Sequence, residues 1–121
     1  MRVLGRVPDI GARTGDASSI LDAREMRLRW VEAEIGVDEF PAAQNRCCRN
    51  DEEHAERVAA IDGWARPLGG IGPALVVSPL IAHRSANDGP WVLDGRHRLC
   101  VARRDGLATV RSFYTDNILS D

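Results

Sequence analysis

Trp91-Val92-Leu93-Asp94-Gly95-Arg96-His97-Arg98-Leu99-Cys100-Val101-Ala102 is the stretch that decides the fold. Trp91 to Leu93 reads as a strand. Asp94-Gly95 reads as a tight turn, and Arg96 to Arg104 as a helix with Leu99, Val101 and Ala102 facing inward. Gly106 stands where a helix C-cap is expected. Strand, turn and helix in this order also make a place for an anion. Gly95 lets the backbone approach a ligand without a Cβ in the way. The first N–H groups of the helix favour negative charge. Arg98, one turn in, can add a charge-assisted bond, and Arg96 and His97 can reach the same region. An ordinary connector with solvated arginines would read the same way, so these residues alone leave both readings open.

Working outward, Ala108 to Phe113 reads as a closing strand with Val110 and Phe113 in the core, and Ser85 to Gly89 as a polar loop. Ala74 to Val77 is short, apolar and bounded by turn residues, which predicts a buried strand. Asn50 or Asp51 caps a helix whose first turn carries Glu52 and Glu53, where the helix dipole favours acids. Val58, Ala59, Ile61 and Trp64 are its apolar face, and Gly69, Gly70 and Gly72 end it. Pro41 to Asn50 is a loop. Further upstream, Val31, Ala33, Ile35 and Val37 alternate with Glu32, Glu34 and Gly36, which predicts a strand from about Arg29 to Val37 with Glu32 and Glu34 on its wet face. A helix through Leu21, Leu28, Val31 and Ile35 can also be drawn. Ile20 to Arg27 reads as a short helix with cap candidates at Asp16, Ser18 and Ser19, and Met1 to Gly15 as a short strand or arm followed by a loop. The sum is a small single-domain α/β (α+β) fold, a mixed sheet flanked by helices. Residues 1–28 are expected to form an N-terminal arm and short helix, and residues 29–121 the domain that carries the candidate phosphate-binding turn.

The run Val92 to Leu99, continuing through Ala102-Arg103 to Gly106, resembles the signature of the ParB/sulfiredoxin superfamily: an apolar strand, Gly-x-x-Arg or Gly-x-His-Arg, then an Ala-containing helix ending in Gly. Pro73 to Val77 resembles the family's Pro-plus-apolar strand, and Asp51 to Ile61 the acidic helix before it. Pro41, Gln44 and Arg46 resemble the Pro…Gln-x-Arg segment of ParB proteins. The likeness covers roughly residues 30–113. It implies a domain that holds a nucleotide or other phosphate at the turn, with Arg46, Gly95, Arg96, His97 and Arg98 as binding residues, Asp94 and His97 as catalytic candidates, and CTP or ATP with Mg²⁺ as ligand. The family also departs from this chain in places. Arg96 stands where sulfiredoxins carry the catalytic Cys, which argues against that chemistry. Gln44 and Asn45 stand where the kinase branch carries an acid. A partition protein also has helix-turn-helix and dimerisation domains, for which 121 residues leave no room, so the chain corresponds at most to the N-terminal module.

Composition narrows the classes. The 16 basic residues are all Arg, the better residue for bidentate phosphate contacts, although a GC-rich genome gives the same bias. The formal net charge is -2, which argues against non-specific coating of nucleic acid. Three Cys, two of them adjacent, make a poor disulfide framework and fit a reducing cytosol. Met1 to Ser19 lacks the apolar core of a signal peptide, so a cytoplasmic protein without a membrane span is expected. Cys47, Cys48 and His54 are a poor start for zinc, which wants four spaced ligands, and no metal centre is expected. Cys100 reads as a core thiol and His83 as a loop histidine that could approach the turn. Asp94 can bind Mg²⁺ or activate water, or can simply accept bonds at the turn. Arg103 and Arg104 read as surface charge that could touch a DNA backbone. Three functions follow: an NTP-binding module with weak hydrolysis, a DNA-binding or DNA-cutting domain that uses the same turn on a backbone phosphate with a metal held near Asp94, or an adaptor without activity.

Overall fold

The computed structural model describes residues 1–15, 19–44, 50–87 and 89–119. Five strands form one mixed sheet: β1 (Arg2–Val7), β2 (Trp30–Gly36), β3 (Leu80–Arg84), β4 (Pro90–Asp94) and β5 (Thr109–Thr115), in the spatial order β1-β2-β5-β3-β4. Only β3 and β5 run parallel; the other neighbours are antiparallel. Among the described residues five α-helices accompany them: α1 (Ile10–Thr14), α2 (Ala23–Met26), α3 (Asp51–Ala65), α4 (Ile71–Val77) and α5 (Arg96–Arg104). This is the small α+β domain that the sequence predicts.

The alternation in β2 works as expected. Ala33, Ile35 and Val37 join the main core with Leu80, Ala82, Val92, Val110 and Tyr114, and α4 and α5 close it with Ile71, Leu75, Leu99, Val101 and Ala102. Their neighbours on the strands face the other way. Trp30, Ile81 and Phe113 build a second cluster with Val7, Ile10, Leu21 and Leu119. Glu32 and Glu34 lie on this second face, where Arg13, Arg111 and Arg2 pair with them. β1 belongs to the same sheet: Val7 pairs with Trp30 and Arg2 with Glu34.

Caps set the helix starts. The Asn50 carboxamide accepts the Glu53 N–H at 2.7 Å, ahead of three acids in the first turn of α3. Asp22 and Glu25 exchange bonds in a capping box that starts α2, so this helix is one turn shorter at its start than the sequence predicts. Residues 10–14, expected in a loop, form α1 because Asp9 caps it through the Ala12 N–H at 3.2 Å.

Three expectations are corrected. Ala74 to Val77 is helical, not a strand. Ile71, Ala74 and Leu75 are buried at helical spacing while Val76 and Val77 are exposed, and Pro73 sits in the first turn, where its missing N–H costs nothing. The strand comes six residues later, directly after Pro79. His83 is on β3 and fully buried, where its Nδ1 accepts the Leu119 N–H at 3.3 Å; it is not on a loop. Ala59 and Trp64 of α3 are exposed, so the helix packs through Val58, Ile61 and Ala65 instead.

Candidate functional site

β4 ends at Asp94 and α5 begins at Arg96, so Gly95 alone makes the turn. Its φ of 110° lies in the left-handed region. A Cβ there would stand 2.5 Å from Leu80 Cδ2 and 2.9 Å from Arg98 Nη2. Both the conformation and the space therefore require glycine. Gly95 is also the N-cap, so the capping position has no side chain to offer the first N–H groups of α5. Asp94, which could have capped the helix, pairs instead with Arg98 one turn on, at 3.3 Å.

The three basic residues of the turn go to different places. Arg96 is exposed, its guanidinium 5.9 Å above the Trp91 ring. His97 faces α3, where Arg57, His54 and Glu53 lie within electrostatic reach. Burial pulls its imidazole below the usual value, and the Arg57 charge adds to this, so His97 is neutral at pH 7. Arg98 turns under the helix. Its Nη1 donates to the Ser78 carbonyl, to Ser78 Oγ at 3.0 Å and to the Pro79 carbonyl at 3.2 Å. Burial disfavours its charged form, and Asp94 opposes that effect. Arg98 thus ties the α4–β3 joint to the turn, a structural task that the sequence does not announce.

Gln44 supports the site from outside. Its Oε1 accepts the Val92 N–H at 2.8 Å and its Nε2 donates to the Val92 carbonyl at 3.0 Å. Arg103, read as surface charge, donates from Nη1 to the Gln44 carbonyl at 3.4 Å. Arg104 makes a two-pronged contact with Asp62, at 2.7 and 2.8 Å, and so joins α5 to α3. Cys100 is half-buried on α5. Arg46, Cys47 and Cys48 lie outside the described residues. Among the described residues no cluster of three or more His, Cys, Asp or Glu could hold a metal ion, and no helix is long and apolar enough to cross a membrane.

The structure therefore brings Gly95, Arg96 and His97 to one helix start, adds His54 and Arg57 from α3, and turns Arg98 inward. Arg57 escaped the sequence reading, and His54 entered it only as a poor zinc ligand, because nothing in their spacing links them to residues some 40 positions later. No family model matches this chain, and no curated protein matches it either.

Proposed function

We propose that this chain is a ParB/sulfiredoxin-like domain that binds the phosphates of a nucleotide at the first turn of α5. One observation carries the reading: Gly95, left-handed and sterically required, opens α5 with a capping position that has no side chain, so its backbone can come close to an anion. Arg96 is exposed beside that opening, and His97 with Arg57 and His54 adds donors and positive charge from the α3 side. Pro79 followed by Leu80-Ile81-Ala82 supplies the Pro-plus-apolar strand of the resemblance in place of Pro73 to Val77. Arg98 contributes by fixing the turn.

Hydrolysis on such a site would draw on positioning and electrostatics. The neutral imidazole of His97 can accept a proton, and Asp94, 44% exposed, can take part in holding a Mg²⁺ that arrives on the nucleotide's own phosphates.

The test is thermal unfolding with CTP, ATP, GTP and UTP, each with and without Mg²⁺. A nucleotide at a hundred times its dissociation constant should stabilise the fold by about 2.7 kcal/mol. The gain should vanish in Arg96→Ala with His97→Ala, each shift being measured against the same variant without nucleotide. No shift with any nucleotide would overturn the reading.

A further inference from the structure

The second face of the sheet holds a cavity of about 580 Å³ at the same end of the domain as the turn. Asp94 and Arg98 form part of its wall, between the α4–β3 joint and the end of β4. The opposite wall is made by Arg13 and Thr14 of α1, with Gly15, Ser19 and Ile20. These belong to residues 1–28, outside the stretch that resembles the family.

The wall's chemistry limits what fits. Arg13 bonds Glu32 at 3.0 Å and lies 5.1 Å over the Phe113 ring, and Arg98 pairs with Asp94. Both arginines of the described wall thus have an acid partner, which weakens their pull on a second anion. Its buried floor is apolar, made by Ile81 and Phe113. Ile20 and Val77 line it from opposite walls and still reach solvent, at 39% and 64% exposure. Arg13, Thr14, Ser19, Ser78, Asp94 and Arg98 make the polar part of the wall. Thr14 Oγ1 donates to the Ile10 carbonyl at 2.7 Å, which leaves its lone pairs to accept. Ser78 Oγ accepts from Arg98 at 3.0 Å, which leaves its proton to donate. Asp94 accepts from hydroxyl or amino groups. An uncharged ring system with apolar faces and hydrogen-bonding edges meets these conditions, and a nucleoside is such a molecule. Asp94 and Gly95 are consecutive, their Cα atoms about 3.8 Å apart, so a nucleoside here and phosphates at the α5 start can belong to one ligand.

We propose that this cavity holds the nucleoside of the bound nucleotide, and that the α1 segment, through Arg13, Thr14 and Ile20, is the wall that selects it. The inference rests on the phosphate-binding reading, and the two fail separately. Calorimetric titration of the full chain with tripolyphosphate, the four nucleoside triphosphates and the four uncharged nucleosides separates them. One triphosphate should bind at least tenfold tighter than tripolyphosphate. Val77→Trp, which fills the cavity from one wall, and Ile20→Trp, from the other, should each bring that ratio down toward one. If no triphosphate outbinds tripolyphosphate, or if neither tryptophan lowers the ratio, the cavity is not the nucleoside site. If tripolyphosphate fails to bind while a nucleoside binds and both tryptophans block it, the phosphate reading falls and the cavity stands.

Discussion

Gln44 pairs with Val92 as a neighbouring strand would, its carboxamide accepting the Val92 N–H and donating to the Val92 carbonyl across 48 positions of sequence. β4 is an edge strand, so among the described residues these two backbone groups have no further strand to pair with. The contact is buried, and Gln44 is 1% exposed.

Gln44→Leu should therefore strand a buried N–H and a buried carbonyl. An unsatisfied group costs about 1–3 kcal/mol, so the pair should lose roughly 2–6 kcal/mol in urea unfolding. Gln44→Glu keeps the acceptor for the N–H but sets a carboxylate against the carbonyl, and it should be destabilised as well. A loss under about 0.5 kcal/mol in both variants would show that water satisfies Val92 instead.

Gly95→Ala tests the turn. The left-handed conformation costs about 1–3 kcal/mol with a side chain, and the contact with Leu80 adds overpacking of similar size. A loss of about 2–4 kcal/mol is expected by the same reasoning. Gly95→Ala with Leu80→Ala removes the clash and leaves the strain, so part of that particular penalty should return. An unchanged midpoint in Gly95→Ala would mean that the turn adopts another conformation.

Arg98→Ala should act on stability before it acts on any ligand. The variant strips the donor from the Ser78 and Pro79 carbonyls and leaves Asp94 without this partner. Breaking such a buried, hydrogen-bonded pair costs about 3–5 kcal/mol, reduced here because Asp94 is partly exposed. Arg98→Lys cannot reproduce the spread of the guanidinium and should recover less than half of the loss. Full recovery by Lys would show that charge alone matters at this joint.

These residues also show what could be read from sequence. The strand, turn and helix around Gly95 were legible because the apolar run, the glycine and the amphipathic helix agree with one another. The alternation from Val31 to Val37 was legible for the same reason. Ala74 to Val77 was not, because a four-residue apolar run fits a buried strand and a helix equally, and only the flanking Ile71 at helical spacing decides between them. β1 carries no alternation and owes its strand to pairing with β2. The inward turn of Arg98 was invisible, since its acceptors are backbone carbonyls 19 and 20 positions away.

Glu32 gives the acid limit of stability. Burial pushes its carboxyl up, but bonds from Arg111 and Arg13 outweigh this and hold it below the usual 4.5. A carboxyl depressed in the fold stabilises it above the unfolded value, and the contribution is lost as pH falls through the folded value. The unfolding midpoint should therefore drop below about pH 4.5, and Glu32→Gln should flatten that drop while costing about 1 kcal/mol at pH 7. An unaltered acid profile in the variant would move the effect to other carboxyls.

His97 gives a second limit, nearer neutrality, and connects it to the ligand. Burial, with the charges of Arg57 and His54, holds its imidazole below the ordinary 6.5. The unfolded chain thus takes up a proton at a higher pH than the folded one. Stability is full above about pH 6.5 and falls as pH drops from there toward the lower folded value. His97→Gln should remove that part of the slope. A phosphate at the α5 start reverses the balance, because its negative charge favours the imidazolium. Binding should then take up a proton, and tripolyphosphate should bind more tightly at about pH 6 than at about pH 7.5, beyond what its own ionisation accounts for. Calorimetry in two buffers of different ionisation enthalpy counts that proton directly. In His97→Gln the count should fall toward zero while binding itself persists through the backbone and Arg96. An equal proton count in both proteins would place the titrating group elsewhere and remove His97 from the phosphate contact.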